Sequence, residues 1–251
     1  MLTRLLLFIP RLFVGAQRFT MPRGFRRDWV LSEEDFASTV RVGGHKPVQG
    51  LIEQLRSLYL ALVEKVGETG SIAVCSPCKR EGRSTAIVNL AITMAHDTGR
   101  NVTILDLDLA DPDQAELLEI PLAPGFTDFR SGDRVTDYLA LTSHPGLTLL
   151  HAGAPTPDAV KDLQSGRLEE VLEQLREMGH FVIVDTPAAL GNVDARIIAE
   201  RVSGVATLVK LGKTKRSDLA PYYRAYRDLP LLGAICNYHE AWIPRWLQRF
   251  L

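Results

Sequence analysis

The spacing of apolar residues predicts an amphipathic helix at the start of the compact part of the chain. Leu51, Leu55, Leu58, Leu62 and Val66 recur at intervals of three or four residues, and charged residues occupy other faces. A period near 3.6 residues places these apolar side chains on one side of a helix. We therefore expect a helix over residues 51–66 that packs on a domain core.

Beyond this helix, short apolar runs of strand length alternate with helical patterns. The predicted strands are residues 71–75, 101–105, 146–150, 181–184, 205–211 and 232–236. The predicted helices are residues 84–94 and 168–178. Apolar strands that alternate with helices are typical of a parallel sheet covered on both faces. The pattern predicts a doubly wound, mostly parallel α/β domain with three layers, α/β/α.

The near-zero net charge hides a separation of basic and acidic residues. Eight of the 29 Lys and Arg residues lie in residues 1–27 and 241–251, whereas all 30 acidic residues lie between these ends. We divide the chain into a basic amphipathic leader (1–45), a compact domain (46–240) and a basic aromatic tail (241–251). An acidic body is atypical of a uniformly basic nucleic-acid binder, so we expect no nucleic-acid partner.

Cysteine usage and the two ends indicate where the protein acts. Three cysteines do not form the disulfide framework of a secreted domain and indicate a reducing compartment. The apolar run 5–9 stops at Pro10 and is too short to span a bilayer, while a signal peptide stays open as an alternative. Basic, apolar and aromatic ends are typical of helices on an anionic membrane surface. Docking on a protein explains them equally well, so we expect a cytoplasmic protein held peripherally at the inner face of the inner membrane.

Carboxylates follow two of the predicted strands. Asp106 and Asp108 come after the strand 101–105, and Asp185 comes after the strand 181–184. Ligands of open α/β sheets bind at the carboxyl ends of the strands. Each acid alone is more often a solvated strand-end residue.

The segment between the strand 71–75 and the next helix has the character of a phosphate-binding loop. It ends in Gly82, Arg83, Ser84 and Thr85, in the place of a Gly-Lys-Ser/Thr ending. Backbone N–H groups at a helix N-terminus receive phosphate, and a hydroxyl such as that of Ser84 can ligate Mg²⁺. An ordinary capped turn explains this segment if it is taken alone, but the later acids favour a nucleotide site.

These motifs together resemble the cytoplasmic tyrosine-kinase domain of bacterial capsule and exopolysaccharide systems, the BY-kinases, which are related to the Min- and Par-type deviant-Walker ATPases. The resemblance covers about residues 47–238. The matching segments are residues 53–56, 82–91, 106–112, 125–132, 152–153, 185–187, 194–195, 209–214 and 233–237.

The resemblance implies a P-loop NTPase fold that binds ATP or ADP with Mg²⁺, and it assigns roles to individual residues. The implied nucleotide-binding residues are Lys79, Arg80, Glu81, Gly82, Arg83, Ser84, Thr85 and Asn237, the last at the adenine. The implied metal ligands are Ser84, Asp106 and Asp185, with Asp185 as the Walker B acid. The implied catalytic residues are Asp106, Asp108 and Arg83.

The chain also departs from the family pattern. The family's first loop glycine falls on Pro77, its catalytic lysine on Arg83, and the last arginine of its helix motif for ring assembly on Tyr59. No tyrosine follows Tyr238, where the family carries a tyrosine-rich tail. An arginine keeps the charge of lysine but is a wider planar fork. The departures favour a kinase-like protein that is degenerate in catalysis.

The predicted function is regulation of polysaccharide polymerisation together with an inner-membrane chain-length (co-polymerase) protein. We also expect the chain to associate with itself and both of its ends to contact an anionic membrane surface. An active ATP-dependent tyrosine autokinase and a Min- or Par-type spatial-regulation ATPase are the alternatives.

Two further motifs have a simpler interpretation. Cys75 and Cys78 form a C-x-x-C pair after a strand, but no helix begins at Cys78, which disfavours a redox or metal role. Tyr222, Tyr223 and Tyr226 are at helical spacing, and we expect them on the packed face of a helix and not as phosphorylation sites.

Overall fold

The computed structural model of the protein describes residues 46–154, 156 and 158–237, with the side chains of residues 46–50 excepted. The leader, the tail 241–251 and their predicted membrane or protein contacts lie outside these residues. Within the described part of the chain, no helix is both long and apolar enough to cross a membrane.

Helices and strands alternate along the described chain as the apolar pattern predicts. The helices are α1 (Lys46–Val66), α2 (Arg83–Thr98), α3 (Gln114–Leu117), α4 (Ala159–Gln164), α5 (Arg167–Glu177), α6 (Asp194–Ala199) and α7 (Arg216–Tyr226), with a 3-10 turn at Val135–Tyr138. The strands are β1 (Ser71–Cys75), β2 (Val102–Asp106), β3 (Leu139–Leu141), β4 (Leu147–Leu150), β5 (Phe181–Asp185), β6 (Gly204–Lys210) and β7 (Leu231–Asn237).

The seven strands form one sheet in the order β3-β4-β2-β5-β1-β6-β7. All neighbouring pairs are parallel except β3 with β4, which is antiparallel. The predicted doubly wound, mostly parallel α/β fold is therefore confirmed. β3 was not predicted, because a three-residue edge strand leaves too short an apolar pattern to recognise.

Each face of the sheet carries its own apolar core. Ile72 and Val74 of β1 contribute to the core under α1, α2 and α3, whereas Ala73 and Cys75 contribute to the core under α4 to α7. Successive strand residues point to opposite faces, so a continuous apolar run fills both cores. The helices therefore form two outer layers around the sheet.

The tyrosines of α7 separate into two environments. Tyr222 and Tyr226 are buried and their ring centroids stack 4.5 Å apart, so the prediction of a packed face is confirmed for them. Tyr223 is 47% exposed, so the prediction is wrong for this residue. Residues four apart share a helical face, whereas Tyr223 is only one position from Tyr222 and is turned away from it.

Candidate functional site

The carboxyl ends of β2, β5 and β1 gather the predicted acids and the predicted phosphate loop at one edge of the sheet. β5 lies between β2 and β1, and Asp106 is opposite Asp185 in the register of β2 and β5. Val74, near the end of β1, is opposite Asp185 on its other side. The loop that leaves β1 therefore runs beside the Walker B position.

Residues 76–82 form a strand–turn–helix loop that is tied down at its start. The main-chain N–H groups of Ala189 and Leu190 donate to the carbonyl oxygens of Ser76 and Pro77 at 2.9 and 3.1 Å. At the other end Gly82 has φ 85°, a left-handed conformation that glycine adopts without strain. The loop thereby turns directly into α2, whose first residue is Arg83.

Arg83 does not face solvent but turns inward between two carboxylates. Its Nε donates to Asp185 Oδ1, and its Nη2 donates to Asp108 Oδ2 at 2.9 Å. Its Nη1 donates to the Ser76 hydroxyl at 3.2 Å, and the whole residue is only 8% exposed. Burial opposes the charge of the guanidinium, but the two carboxylates outweigh it and leave the pKa of Arg83 raised.

Asp185 is fully buried, and both of its carboxylate oxygens have a donor. Arg83 donates to one oxygen, and Nε2 of Gln114, the first residue of α3, donates to the other. The Oε1 atom of the same Gln114 amide is buried and has no hydrogen-bond partner among the described residues. The Asp185 carboxylate is therefore enclosed by donors from α2 and α3.

Asp106 and Asp108 differ in how their charge is balanced. Asp106 accepts main-chain N–H groups, from Asp108 at 3.2 Å and from Gln114 at 3.3 Å. Burial and the neighbouring Asp185 raise the pKa of Asp106 well above its usual range. Burial also raises the pKa of Asp108, to about 6, although Arg83 opposes that shift. The site therefore holds more buried acid than its single arginine neutralises.

A second internal contact closes the phosphate loop. The carboxylate of Glu81, which is 2% exposed, accepts the backbone N–H of Cys78 at 2.9 Å and the hydroxyl of Thr214. Nδ2 of Asn237, at the end of β7, donates to the Glu81 carbonyl oxygen at 2.9 Å. The loop predicted to bind phosphate is thus filled in part by its own carboxylate.

The other predicted loop residues are exposed or half-buried. Lys79 and Arg80 are exposed, and Arg80 has φ 62°. Ser84 and Thr85 are half-buried in the first turn of α2, where helical N–H groups have no intrahelical acceptor. The structure therefore brings the predicted loop residues and the three predicted acids to one place.

Sequence reasoning did not single out Gln114, Ser76 or Thr214 as parts of this site. Thr214 ends a segment that matches the BY-kinase pattern, and Gln114 is eight residues after Asp106. Their order along the chain indicated closeness to the site. The direction in which each side chain points decides its contacts, and the spacing of residues along the sequence does not predict that direction.

The arrangement does not fit the Mg²⁺ that the fold class implies. Mg²⁺ prefers oxygen ligands in near-octahedral geometry, but a guanidinium already lies against the oxygens of Asp185 and Asp108. Among the described residues, no group of three or more His, Cys, Asp or Glu side chains is placed to hold a metal ion. Of the three implied metal ligands, Ser84, Asp106 and Asp185, the last already has a positive side chain against it.

The cysteine pair at the start of the loop is not a reactive dithiol. Cys75 is fully buried and accepts a hydrogen bond from the Thr186 hydroxyl, and burial raises the pKa of its thiol to about 11. Burial also raises the pKa of Cys78. Thiolates are the reactive form of cysteine, so these environments disfavour redox chemistry.

No family model matches the chain, but individual relatives do. It is 28% identical over 171 residues to the tyrosine-protein kinase ptk of Acinetobacter johnsonii, a match that covers 67% of this chain and 23% of that protein. It is also 28% identical over 170 residues to the tyrosine-protein kinase YwqD of Bacillus subtilis, which covers 66% of this chain and 71% of the relative.

Solved structures agree with this picture at the level of the fold. The kinase domain of the Escherichia coli tyrosine kinase ETK superposes with a TM-score of 0.71 at 20% identity, covering 86% of this chain and 90% of that one. The cell division ATPase MinD of Pyrococcus furiosus gives a TM-score of 0.59 at 22% identity, covering 72% and 78%. The resemblance to bacterial tyrosine kinases and the P-loop fold predicted from the motifs are therefore confirmed.

Proposed function

We propose that this protein is a kinase-like regulator of capsular or exopolysaccharide production that acts by binding and assembly, without transferring phosphate. Its relatives are bacterial tyrosine-protein kinases, and its fold is that of their kinase domains. The proposed partner is an inner-membrane chain-length protein.

The observation that carries this proposal is the position of Glu81. Its buried carboxylate accepts the N–H of Cys78 within the loop and the hydroxyl of Thr214, which follows β6. Backbone N–H groups of such loops are the donors that receive phosphate. A carboxylate fixed at this place competes for a donor and repels a phosphate group by its charge, so nucleotide binding is weak.

The identity of residue 83 supports the same conclusion. Lysine is a compact ammonium on a flexible stem, whereas arginine is a planar fork that favours paired carboxylates. The Nε, Nη1 and Nη2 atoms of Arg83 donate hydrogen bonds to Asp185, Ser76 and Asp108. The positive charge that a P-loop offers to phosphates is thereby committed inside the protein.

Two alternatives have some support. The three acids at the strand ends are those of an active kinase, which favours an autokinase. The fold of MinD favours a spatial-regulation ATPase, although its TM-score of 0.59 is lower than the 0.71 of the ETK kinase domain.

The test is incubation of the purified full chain with Mg-ATP, followed by mass spectrometry for phosphotyrosine. We expect none, and we expect Arg83→Lys to raise nucleotide affinity. Robust autophosphorylation that disappears in Asp106→Ala would overturn the proposal.

The ends of the chain are proposed to bring the protein to the inner membrane. Flotation with anionic liposomes, comparing the full chain with residues 28–240, tests this part. Equal flotation of both would remove the membrane contribution and leave docking on a protein.

A further inference from the structure

Arg83 has the place and the partners that a cation at this site would have. Its guanidinium bridges the Walker B acid Asp185 on β5 and Asp108 after β2, two acids from neighbouring strands. The side chains of Arg83 and Asp185 are 9% and 1% exposed, so the contact excludes water. Three donors, Nε, Nη1 and Nη2, all have acceptors in this arrangement.

A divalent ion cannot join this arrangement without removing the arginine from it. The ion needs carboxylate oxygens as ligands. The Arg83 guanidinium already contacts those oxygens and repels the ion, because both are positively charged. Displacement of Arg83 would leave a buried guanidinium without its two carboxylates, and breaking a buried pair in this way is strongly unfavourable. Gln114 further holds the second oxygen of Asp185.

We propose that Arg83 is a built-in replacement for the divalent cation, so that any phosphate-bearing ligand, such as a nucleoside diphosphate, binds here independently of Mg²⁺. This inference deepens the proposed function, because it concerns the same site. The converse also follows: removal of the Arg83 guanidinium frees Asp108 and Asp185, and the site then binds a divalent ion.

In the experiment, Mn²⁺ is titrated into the full chain, and binding is followed by the decrease in the electron paramagnetic resonance signal of unbound Mn²⁺. ADP binding is measured by calorimetry in Mg²⁺ and in EDTA. For the unmodified protein we expect no saturable Mn²⁺ binding, and a ratio of ADP affinities in the two buffers within about twofold, a difference of about 0.4 kcal/mol. For Arg83→Ala we expect saturable Mn²⁺ binding. The matched control is Arg176→Ala, which removes an exposed arginine paired with Glu173 on α5 and leaves Mn²⁺ binding absent.

Saturable Mn²⁺ binding to the unmodified protein, or tenfold tighter ADP binding in Mg²⁺, would overturn the inference. A folded Arg83→Ala that binds no Mn²⁺ would also overturn it. If Arg83→Ala does not fold, the measurements on the unmodified protein decide alone.

The outcomes separate this inference from the proposed function. Phosphotyrosine formed equally in EDTA would sink the regulatory function and leave the cation replacement intact. Saturable Mn²⁺ binding to the unmodified protein without any phosphotyrosine would overturn the cation replacement and leave the proposed regulatory function intact.

Discussion

Two arginines each hold carboxylates, and the difference between their surroundings explains what each pair does. Arg56 on α1 binds Asp97 on α2 through Nε at 2.5 Å and Nη2 at 2.9 Å, with Arg56 35% exposed. Arg83 binds Asp185 and Asp108 at the strand ends with 9% exposure. The chemistry is the same, but water screens the first pair and is excluded from the second. The outer pair joins two helices, whereas the inner pair sets the charge of the candidate site at the strand ends.

The comparison is tested most strongly by deleting the inner guanidinium. We expect Arg83→Ala to lower the free energy of unfolding by about 3–5 kcal/mol at pH 7, because two buried carboxylates lose their cation. Urea denaturation measures the change. A loss below about 1 kcal/mol would mean that water reaches the pair and that the contrast with Arg56 does not hold.

The two regions should respond in opposite directions when a carboxylate is neutralised. We expect Asp106→Asn to raise the free energy of unfolding at pH 7 by about 1 kcal/mol, because it removes a carboxyl group whose ionisation is opposed by burial and by Asp185. Asp97→Asn should lower it by about the same amount, since it breaks the contact with Arg56. Destabilisation by both substitutions would contradict this difference.

The same contrast predicts a pH dependence. The folded pKa of Asp108 is about 6 against an ordinary value of 3.8, so the folded chain binds this proton more tightly than the unfolded chain. Asp106 is shifted in the same direction. The contribution of Asp108 therefore favours the fold at low pH and is lost as the pH rises from 3.8 to about 6. The contribution of Asp106 is lost in the same direction, as the pH rises above 3.8 toward its own raised pKa. Asp106→Asn should flatten this part of the profile of unfolding free energy, measured by urea denaturation at each pH, and an unchanged slope would contradict it.

The effect of Glu81 should appear in binding more than in stability. We expect Glu81→Gln to tighten ADP binding by up to about tenfold, or about 1.4 kcal/mol, because a neutral amide no longer repels phosphate. Calorimetry measures the affinity. Glu64→Gln, on the exposed surface of α1, is the matched control and should leave it unchanged. Weaker binding to Glu81→Gln would show that the carboxylate helps to hold the loop open to nucleotide.

The smallest expected effect belongs to the outer arginine. Arg56→Ala should lower the free energy of unfolding by at most about 1 kcal/mol, and high salt should reduce the difference from the unmodified protein. A loss of unfolding free energy as large as that of Arg83→Ala would show that the exposed and buried pairs contribute equally to stability, which would contradict the comparison.

The fold could be predicted from the sequence because the central strands are short runs of mainly apolar residues, and Asp106 and Asp185 each follow such a run. Ile72 to Cys75 and Phe181 to Val184 are readable in this way. The inward turn of Arg83 and Glu81 could not be predicted, since spacing places a residue in a loop but leaves the direction of its side chain open. Gln114 was missed for the same reason, because it reaches Asp185 across 71 residues of chain.

The sheet order also has a consequence for how the protein is made. β1 and β2 follow each other along the chain but are not neighbours, because β5 lies between them. A chain emerging from the ribosome with its N-terminus first exposes both strands before the strand that joins them has been synthesised. Arg83 is then without Asp185, which follows 102 residues later. The insertion of β5 completes the centre of the sheet and brings the Asp185 carboxylate to the Arg83 guanidinium, so the candidate site cannot form before residue 185 has been synthesised.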